Sequence, residues 1–439
     1  MRLSLIVLLL LGCCWGRAGR AQKLPAPIAI TNVTVLPMSR QAVLPGQTVL
    51  IEQGKIQKIG PVGQLKIPAN AVVVNGKGKY LLPGLVDMHA HLPGAEGTRH
   101  SLGNYFALNL ASGVTGLRSM RGDASHLRWR DSLRRSSAPA SHLYLATPVF
   151  TRDKAYAARQ ALPLLRRYQA SGYDFVKYLG GMTAPQYDSL LADARSVGLK
   201  VAGHAPRSGL RGAVAARMAS IEHIEAFAEA YQRDSVEFKQ LAAQIAANHL
   251  FTCPDLFWYE ATGLQYSLER LQQLPGLAYV APELRRDWQA WGEAKRQQLQ
   301  PAGVSTAAHA QLTATLRAYR QAFRLMHEAG VQFLVSPGDG PYVVPGFGMA
   351  EELELFVGHG LSPYEALRAA TYNAAAWFGE TAQRGTVESG KAADLVLLDA
   401  NPLENIANVR RVHGVVLAGR WLPASQLLAA KPAAAPTGR

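Results

Sequence analysis

Two histidines one residue apart, His89 and His91, close an apolar run at residues 81–92, LLPGLVDMHAHL. In a β-strand, residues i and i+2 point to the same face. The two imidazoles therefore converge, and neutral imidazole is a common ligand for zinc and similar ions. The pair also suits two strand histidines hydrogen-bonded to their neighbours. Other polar residues favour the metal reading because they recur at the ends of later strand-like runs: Lys177 in DFVKY, His204 after Gly203, His223 after Glu222, and Asp339 after the turn Pro337-Gly338. As an ammonium ion, a lysine in such company would repel a metal. Burial and neighbouring cations lower a lysine pKa, and a neutral amine reacts with carbon dioxide to give a carbamate. That converts a cation into a two-oxygen anion able to bridge two metals. The plainer alternative is a buried stem whose head reaches solvent. Taken singly, His204 and His223 read as core histidines and Asp339 as a turn residue; it is their joint placement that points to a site. His100, His126, His249, His309, His327, His359 and His413 fall in helices or loops and read as structural or exposed.

The elements that would position these residues follow from the apolar periodicity. Residues 27–82 hold short β-type runs punctuated by Gly, Pro and Asn, the pattern of a small hairpin domain. From residue 85, short apolar strands alternate with longer amphipathic segments. Eight candidate strands lie at 85–89, 114–118, 143–146, 174–178, 200–204, 220–223, 250–253 and 332–336, with helices at 154–170, 184–197, 209–218 and 306–329 among those between them. Repeated β-α units over about 300 residues predict a TIM barrel, whose active site collects at the C-terminal strand ends. A helical insertion at 268–300, with Trp288 and Trp291, reads as a lid or a dimer surface. Strand-like runs return at 385–387, 393–398, 409–416 and 420–422 and are expected to complete the first β-domain. The expected fold is a distorted TIM (β/α)8 barrel with a small β-sandwich formed by both chain ends. Its expected parts are a leader at 1–21, sandwich at 22–82 and 385–425, barrel at 83–384, and a flexible tail at 426–439.

The segments LPGLVDMHAHL, DFVKYLGG, GHAPR, SIEHIEA and SPGDGP, with the later GTVESGKAADLVLLDANPL, resemble the amidohydrolase superfamily. The likeness is greatest to its imidazolonepropionase-like branch, which includes metal-dependent dipeptidases and prolidases. It covers nearly the whole chain after the leader. The resemblance implies two divalent metal ions, with zinc as the expected metal. His89 and His91 would hold one and His204 and His223 the other, bridged by carboxylated Lys177 and a hydroxide. Asp339 would ligate the first metal and carry the proton. Two motifs depart from the family pattern: Pro337-Gly338-Asp339 stands where Gly-Thr-Asp is common, and Leu117-Arg118-Ser119 where Val-Arg-Asp is common. The implied activity is hydrolysis of a C–N bond in a small molecule, with dipeptides or N-acyl amino acids as the expected class. Tyr178, Arg207, Arg118 and Tyr342 are the candidate substrate contacts, because an arginine can clamp a carboxylate in bidentate fashion. A cyclic-amide hydrolase or deaminase of the same superfamily is the nearest alternative, although His204-Ala205-Pro206-Arg207 lacks the glutamate expected of a deaminase. A non-catalytic binding protein on the same fold is the alternative of another class.

The ends of the chain and its charge bear on location. Met1-Arg2 and the apolar residues 3–11 read as an export signal. Leu10-Leu11-Gly12-Cys13 resembles a lipobox, which would anchor the chain through a lipid on Cys13, whereas Gly19-Arg20-Ala21 suits ordinary cleavage. Either reading places the mature chain outside the cytoplasm, in the periplasm or at a membrane. Two of three cysteines lie in the leader, so Cys253 has no partner for an internal disulfide. The formal charge is +15; removing Arg2, Arg17 and Arg20 with the leader leaves 15 − 3 = +12. The basic residues are dispersed and lack interleaved aromatics, which argues for a solvated basic surface and against nucleic-acid binding. Homo-oligomer formation is left open.

Overall fold

The computed structural model describes residues 25–93, 102–136, 138–151, 158–299 and 306–429. The leader, Cys13 included, and residues 430–439 of the expected tail lie outside the described residues. The first hairpin-rich segment forms β1 (Ile28–Val35), β2 (Leu44–Glu52), β3 (Lys55–Pro61), β4 (Val72–Asn75) and β5 (Tyr80–Pro83). The middle of the chain forms β6 (Leu85–Ala90), β7 (Val114–Ser119), β8 (His142–Leu145), β9 (Phe150–Thr151), β10 (Phe175–Gly180), β11 (Lys200–Gly203), β12 (Ser220–Glu222) and β13 (Phe251–Cys253). The end adds β14 (Leu395–Leu398), β15 (Val412–Leu417) and β16 (Arg420–Pro423).

Both chain ends meet in one mixed sheet of eight strands, in the order β16-β15-β14-β5-β1-β2-β3 with β4 beside β1. The sequence pattern led to a β-sandwich; the described strands form a single sheet instead. The reason lies in β5, the last strand before the barrel. It pairs with β1 on one side and with β14 on the other, placing Leu82 opposite Val396 and Leu81 opposite Leu397. Strand alternation then divides the side chains between two cores. Leu395 and Leu397 join Ile30, Val49 and Val416 in a core belonging to this sheet. Val396 and Leu398 face the other way, into the main core with Leu82, Leu85 and Leu117.

The middle strands are parallel and run in two ladders, β6-β7-β8 and β9-β10-β11-β12-β13. Single bridges join Ala146 to Phe175 and Thr252 to Phe333, and the Met88 N–H donates to the Val335 carbonyl at 3.0 Å. The eighth expected strand, 332–336, is thus held by these bonds without a ladder of its own. Helices follow the strands, giving a TIM-barrel-like α/β fold. Helix Ala184–Ser196 starts at a capping box of Thr183 and Gln186 with Pro185 in its first turn, which satisfies end N–H groups that the helix cannot. The insertion forms helix Leu268–Gln272, a 3-10 turn Leu277–Tyr279 and helix Pro282–Leu299. A π-helix, Phe257–Gln265, precedes it and was not foreseen from the periodicity. Helix Ala424–Ala429 corrects the expected tail: Leu427 is buried against the main core, so order extends to at least residue 429. Among the described residues no helix is long and apolar enough to cross a membrane.

Candidate metal centre

The polar residues of interest stand where parallel strands end. His89 sits near the end of β6 with its side chain buried, and His91 lies just past that strand. Lys177 is on β10 and is 2% exposed. His204 directly follows β11, where its N–H donates to the Tyr178 carbonyl at 3.0 Å. This close approach requires Gly203: its φ is 145°, and a Cβ there would lie 1.8 Å from the same carbonyl oxygen. His223 follows β12 in the left-handed region, φ 72°. Such a φ is uncommon for a residue other than glycine, and non-glycine outliers of this kind cluster at functional sites.

The four imidazoles form a continuous row. Ring centroids are 5.5 Å apart for His89 and His91, 4.7 Å for His89 and His223, and 4.8 Å for His204 and His223. Nε2 of His223 faces Nε2 of His204 at 3.2 Å. Oδ2 of Asp339 lies 2.8 Å from Nδ1 of His91. Lys177 is near enough to His89 and His204 for its charge to disfavour their protonation. All six ligands implied by the family resemblance are therefore brought into one cluster.

One residue of this cluster was not foreseen. Asp255 lies two residues past β13, fully buried, with φ 53°. Its Oδ2 is 2.8 Å from Nδ1 of His223 and 3.2 Å from Nδ1 of His89, the N–H direction being oblique, since both Oδ2 and the His223 Nδ1 lack an aligned hydrogen bond. Its Oδ1 accepts from the Cys253 thiol at 3.3 Å. In the sequence, Asp255 follows the candidate strand at 250–253; the available signal was that position beyond the seventh strand, at the end where the histidines collect.

Electrostatics follow burial and charge. Burial opposes ionisation of Asp255, but the contacts with His89 and His223 outweigh it and hold the carboxyl at about 2. Burial, aided by Lys177 and His223, lowers His204 to about 3, and burial lowers His89 well below the ordinary value. Lys177 is brought down to about 8 by burial, with Glu222 opposing and Arg118 assisting. Burial raises Asp87 to about 7, although it accepts from the His89 N–H at 3.0 Å. His89 and His204 are thus held neutral, and Lys177 is within reach of its neutral form.

This donor set fits divalent metal. It offers imidazoles, carboxylates and an amine in one cluster, the chemistry preferred by zinc and related ions. Two nitrogens bound to one tetrahedral ion at 2.0–2.1 Å would be about 3.3 Å apart, close to the 3.2 Å between His204 and His223.

Three of the four expected substrate contacts are corrected. Arg118 is wholly buried beneath the centre, where Nη2 donates to both Glu222 oxygens at 2.9 and 2.8 Å and Nη1 to Ser220 Oγ at 3.0 Å. Its guanidinium also lies 4.6 Å from the Trp377 ring. Tyr178 is buried against Tyr187, because strand alternation turns it outward when Lys177 points in. Tyr342 is buried against the insertion, its ring 5.7 Å from that of Trp288. Arg207 alone of the four is exposed, three residues past His204. The insertion also sends Trp291 to stack on Trp258, whose indole covers Gly338 and Gly340 on either side of Asp339; a Cβ at Gly340 would lie 2.4 Å from that ring.

Residues 80–422 match the amidohydrolase family model. The chain belongs to the amidohydrolase family. An imidazolonepropionase from Vibrio cholerae is 28% identical over 85% of this chain and 92% of its own length. An adenine deaminase from Rubrobacter xylanophilus is 27% identical over 22% of this chain, which spans only 18% of that protein in the match. Among solved structures, a Xaa-Pro dipeptidase with bound methionine superposes with a TM-score of 0.68 at 17% identity, over 91% of this chain and 100% of the other, a likeness of fold.

Proposed function

We propose that this amidohydrolase is an exported two-metal enzyme that hydrolyses the amide bond of dipeptides or N-acyl amino acids. The observation that carries the reading is the single row of Asp339, His91, His89, His223 and His204 across strand ends far apart in the chain, with Lys177 beside it. His89, His91, His204 and His223 would hold the two ions, expected to be zinc, with Lys177 as a carboxylated bridge and Asp339 as a further ligand. Bound divalent metals supply a water acidic enough to ionise near neutral pH and polarise the carbonyl to be attacked.

The chain's own groups provide the remaining steps. Asp339 Oδ2, partly exposed beside His91, takes up the proton of the attacking water and delivers it to the departing nitrogen, which must be protonated to leave. Arg207, exposed three residues past His204, would meet a substrate carboxylate in bidentate fashion. Trp258 and Trp291 wall the Asp339 turn with apolar surface, which limits water on that side. The dipeptidase fold match and the expected export signal favour small peptide-like substrates. A cyclic-amide hydrolase or deaminase is the second reading, supported by the matches to an imidazolonepropionase and an adenine deaminase. Secretion belongs to the same proposal, with lipid attachment at Cys13 and cleavage after Ala21 as its two alternative forms.

The test is a panel of dipeptides, N-acyl amino acids, cyclic amides and aminopurines, offered to enzyme of known metal content before and after chelation. Metal-dependent release of amino acid from the first two classes supports the proposal. Turnover confined to cyclic amides or aminopurines transfers it to the second reading.

A further inference from the structure

The resemblance divides His89 and His223 between two metals, yet in this chain one atom touches both. Oδ2 of Asp255 lies 3.2 Å from Nδ1 of His89 and 2.8 Å from Nδ1 of His223. Both contacts are made to Nδ1, the same side of each ring. His223 is left with Nε2, which already faces Nε2 of His204. His89 has a second carboxylate at its Nδ1, Oε2 of Glu222 at 3.2 Å, so it too is left with Nε2. Oδ2 of Asp255 and a nitrogen of each ring lie within 4.8 Å of one another and could themselves hold an ion; where the two rings bind through Nε2, Asp255 stands behind the imidazoles rather than among the ligands.

A carboxylate at the far nitrogen of a metal-binding imidazole fixes the tautomer, orients the ring and makes the binding nitrogen more basic. The geometry points to Asp255 as a positioning residue that couples the two metal positions: one carboxylate oxygen orients a histidine of each, so loading one position sets the ligand of the other. The inference rests on the two-metal reading of the site. Several features keep the oxygen in place. Asp255 is fully buried, its other oxygen accepts from Cys253, and the left-handed backbone at φ 53° is one that Asp and Asn tolerate better than most residues. Asp255→Asn is for that reason the conservative variant: it keeps shape and backbone and removes the charge.

The experiment titrates metal-free wild type and Asp255→Asn, both as full mature chains, with zinc against a competing chelator and with cobalt(II) followed by visible absorption. Far-ultraviolet circular dichroism checks that the variant is folded. Wild type is expected to bind two ions with positive cooperativity. In Asp255→Asn both affinities should fall by roughly 10–100-fold and the cooperativity should vanish, while the cobalt spectrum at saturation stays unchanged. Weakening at one position only, or unchanged cooperativity, overturns the coupling. A changed spectrum at saturation overturns the positioning role and makes Asp255 a ligand. Fewer than two ions in wild type would count against the two-metal reading itself. In that case, nitrogen-15 NMR of the metal-free histidines decides the inference. Loss in Asp255→Asn of protonation at Nδ1 of both His89 and His223 supports the shared oxygen, and loss at one or neither overturns it.

Discussion

Arg118→Met isolates the ion pair beneath the centre. Arg118 and Glu222 are both fully buried and joined at 2.8 Å. Methionine preserves much of the apolar stem but leaves the Glu222 carboxylate, among the described residues, with Ser220 Oγ at 2.6 Å and the His89 ring as hydrogen-bond partners. Breaking a buried pair from one side costs about 3–5 kcal/mol, because the surviving charge is stranded in a poorly solvating interior. Unfolding entropy of about 2.1 cal/mol/K per residue over roughly 400 residues is about 0.8 kcal/mol/K, so the melting temperature should fall by about 4–6 °C. The assay is thermal denaturation of metal-free protein followed by circular dichroism, which keeps ligand stabilisation out of the comparison. The double variant Arg118→Met with Glu222→Gln removes the stranded charge and should regain more than half of the loss. A single variant within 1 °C of wild type, or a double variant no more stable than the single, would refute the reasoning.

Other outcomes follow from individual contacts. Gly203→Ala, with its Cβ forced to about the position of the Tyr178 carbonyl oxygen, should cost roughly 3 kcal/mol or more and yield little folded protein; a stable, metal-loaded variant would contradict the close approach. Lys177→Ala should lower the metal content of purified protein, and two ions per chain in that variant would count against a lysine bridge. His142 is lowered to about 3 by burial and by Arg384, Arg134 and Arg130, so the folded state holds it neutral. Because the unfolded chain takes up the proton first, near its ordinary 6.5, this contribution is present above pH 6.5 and is lost as pH falls towards 3. His142→Phe should flatten that part of the stability profile, and an unchanged slope would contradict the assignment.

Much of the site's frame is legible in local sequence. His89 and His91 announce themselves because a strand repeats every two residues, and Lys177, His204, His223 and Asp339 each stand beside a recognisable apolar run. The alternation that turns Lys177 inward also turns Tyr178 outward, a consequence available from the sequence. Arg118 and Glu222 are different: their pairing joins positions 104 residues apart, and no local pattern distinguishes a buried arginine from one that reaches substrate. Asp255 is hidden for a related reason. Its importance depends on a left-handed backbone and on two histidines delivered by other strands. The single eight-stranded sheet also depends on long-range pairing, since β5 must find β14 across the whole barrel.

Elemental analysis of the purified mature chain, by inductively coupled plasma mass spectrometry against protein concentration, tests the two-metal centre most directly. Two divalent ions per chain, with hydrolytic activity lost on chelation and regained on their return, is the predicted result. A chain that hydrolyses amides at full rate with no bound metal would contradict it.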